Sequence, residues 1–451
     1  MSLTALRRNV KHRLSFVDVT ALKLLDVTGR RQLVQAIWVY DRPIDSAGIQ
    51  RFRDNFARGI GNRVIRRPVL PMARPRWAKP RVTPRAHVST TPMPRGDLLA
   101  WADSCAEKGL DLYAGPSWNL HVQPFDDGST GICMTGSHII GDAYGAFMAM
   151  GQAIVGDVPS PPYGEADAPP RLLDLIGDVA VVVHDLPQTL RALRSARSAR
   201  ASRRRDTPAS TRHVSGVSGD AVTPIPSIAI RIDSATWRAR ATDMGGTSAS
   251  LLADFAHRLA KGLGRTNSHG DVTLVIPISI REGVEDDRAF ALAFGKVTLG
   301  ASEEEHGRLR TALREAITAA RGDPDSMFGL LPLVSWVPQG FIRRVMDGMF
   351  AYEDERPVSL SNLGVVPSQI AALDGTPADW FLTRSRDLGV RWSELVRTRG
   401  HLVVVGLIVD ETLTVCIESH QGAQAENSQG LRDAAALVLE QLEVPGRIEW
   451  S

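Results

Sequence analysis

The sequence predicts a mixed α/β (α+β) protein of two lobes, each with helices packed on a largely antiparallel sheet. Three observations carry this. The chain has 451 residues, enough for two lobes of about 150–250 residues each. Strand-like and helix-like periodicities alternate along most of its length. An arginine- and serine-rich stretch over 186–222 divides it in two. Hydrophobic content of 43% and charged content of 23% are those of an ordinary globular protein and allow a sizeable core.

The first lobe is read as residues 1–185. "LVQAIWVYD" (33–41) is a strand, and Ile49, Phe52, Phe56 and Ile60 then recur at the three- and four-residue spacing of a helix. "RRPVLPMARPRWAKPRVTPR" (66–85) is a loop, because its prolines deny the backbone regular hydrogen bonding. "SWNLHVQPF" (117–125) and "TGICMTGSH" (130–138) are two strands joined by a turn. A helix bearing Phe147, Met148 and Ile154 follows. "RLLDLIGDVAVVVHDL" (171–186) is a short helix, apolar enough to pack on the core or to lie on a membrane.

Residues 186–222 read as a flexible crossover. "RALRSARSARASRRRD" holds seven arginines and almost no apolar side chain, too little to offset the entropy of ordering it. The second lobe is read as 223–451. Its strands are "SIAIRID" (227–233), "DVTLVIPISIR" (271–281), "FGKVTLG" (294–300), "RPVSLSNLG" (356–364), "GHLVVVGLIVD" (400–410) and "ETLTVCIESH" (411–420). Helices are marked by Leu251, Phe255 and Leu259, by Leu309, Leu313 and Ile317, and over 429–443.

Composition excludes several function classes. A net charge of +3 is too small for a nucleic-acid-binding chain. The tract 51–86 is locally basic, with eleven Arg/Lys against Asp54; it is a solvated face or a site for phosphate-bearing ligands. Cys105, Cys133 and Cys416 form no CxxC pair, which fits a reducing compartment. The N-terminus lacks the apolar core of a signal peptide, and the longest apolar run, 402–409, is too short to span a bilayer. The expectation is a cytoplasmic protein, with peripheral membrane contact left open. GxSxG, GxxxxGK[ST] and HExxH are all missing, so no resident metal or cofactor is expected.

"TGSHIIGDAYG" (135–145) carries the chemistry that remains. Histidine is the natural general base near neutral pH, and His138 ends a strand, where a channel between lobes reaches it. Asp142, four residues on, either orients the ring or pairs with an arginine and holds the loop. The spacing alone also fits a structural histidine at a strand–turn–helix junction.

Further segments appear in an order that resembles the bacterial wax ester synthase/diacylglycerol acyltransferase family, within the wider coenzyme A-dependent acyltransferase and condensation-domain superfamily. They are "LSFVDVTALKLLD" (14–26), "RPRWAKP" (74–80), "GPSWNLHVQPF" (115–125, with Pro116 and Trp118), "SHIIGDA" (137–143), "GGTSAS" (245–250), "IPISIRE" (276–282) and "LSNLG" (360–364). The resemblance implies two chloramphenicol-acetyltransferase-like lobes with a tunnel between them. Acyl-coenzyme A would enter from one face and an alcohol (a hydroxyl acceptor, lipid alcohols included) or amine from the other. His138 would take the acceptor's proton, and Ser361–Asn362 would supply the oxyanion donor. Asp142 would anchor the loop through a buried ion pair, with Arg281 the partner expected for it. Ser137, Trp118 and Gly141 would lie against the substrate.

The departures mark a divergent member. Ser137 stands where the family has a first histidine, Ala143 replaces glycine, and Ala249–Ser250 replaces an Asn-Asp pair. Two other readings therefore stand beside O-acyl transfer from acyl-coenzyme A. One is carrier-protein-dependent condensation forming an ester or amide. The other is an inactive ligand-binding homologue.

Overall fold

The computed structural model describes residues 12–166, 172–203, 221–283, 286–300, 306–324, 328–342, 356–421 and 427–450. Helix α1 (Phe16–Thr28) opens the described chain; the Ser15 hydroxyl accepts from the Asp18 amide while the Asp18 carboxylate accepts from the Ser15 amide. Then come β1 (Arg31–Tyr40), α2 (Ser46–Arg58), β2 (Val64–Arg66), β3 (Arg76–Ala78), β4 (Ala86–Val88), α3 (Leu98–Glu107), β5 (Trp118–Pro124), β6 (Thr130–Ser137), α4 (Ala143–Val155) and α5 (Leu172–Arg203). Past residue 220 follow β7 (Ser227–Asp233), α6 (Ser234–Asp243), α7 (Ser248–Gly262), β8 (Val272–Ser279), β9 (Leu292–Leu299), α8 (His306–Gly322), β10 (Val358–Val365), β11 (Trp380–Leu388), α9 (Trp392–Thr398), β12 (His401–Val409), β13 (Thr412–His420), α10 (Ser428–Gln441) and β14 (Arg447–Trp450).

The strands build a five-stranded sheet, β11-β1-β6-β5-β4, and a seven-stranded sheet, β14-β7-β13-β12-β10-β8-β9; β2 and β3 pair separately. Most pairings are antiparallel, with β10 parallel to both its neighbours and β4 parallel to β5. The period-two alternation of β1 sorts its side chains between two cores. Ala36, Trp38 and Tyr40 pack with Ile49, Phe52 and Phe56 of α2. Ile37 and Val39 face the other way, into a cluster that includes Ala229, Val405 and Cys416 of the second sheet. The fold is thus mixed α/β, two sheets with helices and a shared apolar seam.

Three sequence expectations change here. The seven-stranded sheet stays within the C-terminal part, but β11, also from that part, joins the five-stranded sheet along the edge of β1. The proline-rich tract is not wholly irregular, since β2 and β3 form a short ladder within it. The crossover expected from 186 is helical as far as Arg203, as part of α5; the rest of it, 204–220, lies outside the described residues. The physical reason is anchoring. Asp174, Asp178 and Asp185 lie on one side of α5 and pair with Arg66 and Arg76, Arg13, and Arg74 respectively. Much of the basic tract is thereby committed to the fold: Arg66, Arg74 and Arg76 hold a helix, and Arg63 holds a loop described below.

Asp18 carries a cost with a measurable pH signature. It is buried, and desolvation pushes its carboxyl up to about 6 despite the Ser15 hydrogen bonds and the charges of Arg63 and Arg74. A folded pKa above the unfolded value favours the native state only while the group is protonated. That contribution is complete below about pH 4 and is lost as pH rises through about 6. Asp18→Asn keeps an oxygen for the Ser15 amide and removes the charge. It is expected to stabilise the protein by up to about 3 kcal/mol at pH 8 and by nothing near pH 4. Denaturant unfolding at the two pH values checks this; an equal effect at both would sink the assignment.

Candidate active site

Strand β6 ends at Ser137, and a single 3-10 turn, His138–Ile140, follows. The Ser137 hydroxyl caps that turn by accepting from the Ile139 amide at 3.4 Å. Arg63 clamps it from outside, donating through Nε and Nη2 to the Ile140 carbonyl at 2.9 and 2.6 Å. The same guanidinium donates to the Asp287 carbonyl at 2.8 Å and to the Tyr163 hydroxyl at 3.2 Å, and it lies over the Trp77 ring. The His138 ring stacks on Phe290, with centroids 5.1 Å apart and planes at 23°.

Burial lowers the His138 pKa below the ordinary histidine value. A hydrogen bond to its own backbone carbonyl and the charges of Asp142 and Asp387 oppose that shift without reversing it. A half-buried imidazole with a lowered pKa is available as a proton acceptor near neutral pH.

Asp142 has a different task. It is buried, caps α4 by accepting from the Gly145 amide at 2.8 Å, and accepts from the Ala291 amide at 2.9 Å. Arg281 Nη2 donates to both of its oxygens at 2.7 Å. Arg281 is itself buried and also donates to the carbonyls of Asp286 and Arg288. The pair ties the His138 loop to the segment after β8. A side chain at Gly145 would press on it, since a Cβ there would stand 3.1 Å from Arg281 Nη2.

The five-stranded sheet, α2 and α4 border a pocket with about 670 Å³ of non-atom space, open solvent included; Ser137, Ile140 and Gly141 around His138 line it, while His138 itself does not. Its wall includes Val34, Phe56, Met134, Ala146, Phe147 and Met150, an almost wholly apolar set. Gly136, Gly141, Ala143 and Gly145 make room by having little or no side chain. Ser137, Trp118 and Gly141 all line it. Trp118 is otherwise a packing residue, fully buried, donating from its indole to Asn62 Oδ1 at 3.0 Å.

Ser361 and Asn362 are not joined to His138 by any hydrogen bond among the described residues. They lie near the end of β10, where Asn362 Oδ1 accepts from the Gly364 amide across a bulge. In the "GGTSAS" segment, Thr247 caps α7 and the Ser250 hydroxyl accepts from the Thr247 amide at 2.7 Å. Sequence reasoning missed Phe290 and Arg63. Nothing in the sequence singles out Phe290, and Arg63 is hidden among the other arginines of its tract.

No protein-family model and no curated protein sequence matches the chain. Solved structures do match it. The first condensation domain of the calcium-dependent antibiotic synthetase, in complex with a substrate analogue, is 16% identical with a TM-score of 0.57, covering 96% of each chain. The starter condensation domain of rhizomide synthetase in complex with C8-CoA is 13% identical with a TM-score of 0.53, covering 96% of this chain and 94% of the other. The two-lobed fold is that of condensation domains. These likenesses do not single out the lipid-making branch.

Proposed function

We propose that this protein catalyses condensation: transfer of an acyl group from a thioester to an amine or hydroxyl. One observation carries the reading, a half-buried histidine on a turn whose neighbours Ser137, Ile140 and Gly141 line an apolar cavity. The acyl chain occupies the cavity with its thioester carbonyl at His138. The imidazole takes the proton of the acceptor's N–H or O–H as that atom attacks the carbonyl carbon. The tetrahedral intermediate then collapses, the C–S bond breaks, and the imidazolium returns the proton to the leaving thiolate. The likeness to condensation domains, one of them in complex with C8-CoA, supports a thioester donor and favours condensation over wax ester or diacylglycerol synthesis.

A thiol-release assay tests the proposal, using acyl-coenzyme A and acyl-carrier protein as alternative donors with amine, short-alcohol and fatty-alcohol acceptors. Acceptor-dependent release of free thiol from either donor supports it, and the donor that works identifies the carrier. Acyl-coenzyme A that protects the protein against heat with no turnover under any acceptor overturns it in favour of a binding protein.

The cavity makes a separate prediction. Ala146 lines it from α4, and Ala146→Phe fills part of it. Turnover of an octanoyl thioester is expected to fall by roughly tenfold to a hundredfold, while an acetyl thioester changes little, because lost acyl contacts are worth about 1–3 kcal/mol. Measuring kcat/KM across chain lengths reads the shift. An equal loss at all lengths would place the acyl chain elsewhere.

A further inference from the structure

Helix α5 is amphipathic with its faces reversed. All three acids between residues 172 and 198 point inward: Asp174, Asp178 and Asp185 dock the helix on Arg13, Arg66, Arg74 and Arg76. The side packed on the protein otherwise holds Gly177, Val181, Thr189 and Ala192. Leu172, Ile176, Val179, Val183, Leu186 and Leu190 are exposed instead, Leu172 at 73% and Val183 at 62%. At 3.6 residues per turn these six fall within an arc of roughly 80° and form one stripe along the outside of the helix. An apolar stripe of this length on a monomer's surface marks a contact.

The continuation of the helix says with what. Arg191, Arg194 and Arg197 follow directly and are exposed; Arg194 and Arg197 fall on the same arc as the stripe. The outward face is thus apolar at one end, cationic at the other, and free of acids. A protein interface is enriched in aromatic side chains as well as arginine, and this face carries no aromatic residue. Apolar insertion beside a row of guanidiniums suits an acyl boundary next to anionic phosphates.

We infer that the outer face of α5 binds an anionic lipid bilayer, the Leu/Val stripe entering the acyl boundary and Arg191, Arg194 and Arg197 meeting headgroup phosphates. Arginines at every third position would wind around a helix by themselves and make no single face. The apolar residues before them define the face on which two of them lie. The inference does not depend on acyl transfer.

Co-sedimentation of the full chain with vesicles tests it. Binding is expected to vesicles of equal parts phosphatidylcholine and phosphatidylglycerol, to weaken with added salt, and to be far weaker with phosphatidylcholine alone. Val179→Asp with Val183→Asp, and separately Arg194→Glu with Arg197→Glu, should each lower binding by roughly tenfold or more. Both pairs lie at the surface, so thermal unfolding and thiol release from a water-soluble donor should stay unchanged. The native cysteines are all buried, so Val183→Cys accepts an environment-sensitive dye selectively. Its emission should shift to the blue only when anionic vesicles are added. Binding indifferent to lipid charge, emission already blue in buffer, or a concentration-dependent dimer that Val179→Asp with Val183→Asp dissolves would each overturn the inference.

Discussion

His138→Ala is expected to lower acyl transfer by about 10²–10⁴-fold while leaving unfolding close to that of the parent. Among the described residues the imidazole makes no ion pair, and its ring contact is the stack on Phe290. Removing it deletes the base and little of the fold. The pH profile gives an independent reading. The working form is neutral, and burial lowers the pKa, so less of the base is protonated at a given acidity than for a free histidine. Turnover in the parent should therefore hold as pH falls to 6.5 and decline only below it. Single-turnover rates between pH 5 and 8 check both points. An alanine variant of near-parental rate would remove His138 from the chemistry, and an acid limb well above 6.5 would assign the base to another group.

Asp142→Ala should produce the largest loss of stability of any single change at the site, about 3–5 kcal/mol. The cost comes from what is left behind. Arg281 stays charged, with a side chain only 2% exposed, and the Gly145 and Ala291 amides lose their acceptor. Arg281→Ala should cost a similar amount by stranding the carboxylate. The double variant should cost clearly less than the sum, because neither charge then remains buried alone. Denaturant unfolding of the three variants forms the cycle. Additive losses, or a change within about 0.5 kcal/mol for Asp142→Ala, would show that the loop is held by other contacts. Activity should fall with stability in these variants through displacement of His138, since Asp142 does not touch the ring.

Much of the architecture is legible in the sequence because it rests on local periodicity. The alternating β1, β12 and β13 and the four-residue spacing of α7 announce themselves, and the structure has each of them. Strand β11 does not. Its sequence, "WFLTRSRDL", carries Arg384, Arg386 and Asp387 at buried positions, which locally reads as polar loop. Those charges are tolerated only because distant segments meet them: Asp103 for both arginines, Glu418 for Arg386, and Arg30 for Asp387. The outward face of α5 misleads in the opposite sense. Its leucines and valines suggest core, and only the docking of its three aspartates shows which side is buried.

The sequence by itself determined the alternation of strands and helices, the strand-end position of His138 and the four-residue step to Asp142. These depend on neighbours along the chain, where backbone geometry is a sufficient guide. The tertiary structure alone decided what each residue touches. It set Arg281 on Asp142 across 139 positions, Phe290 under the imidazole, and Arg63 on the turn that presents it. It also hollowed the cavity, by bringing glycines of β6 and α4 against the apolar side of α2. Burial and charge compensation are properties of the assembled fold, and no local stretch of sequence carries them.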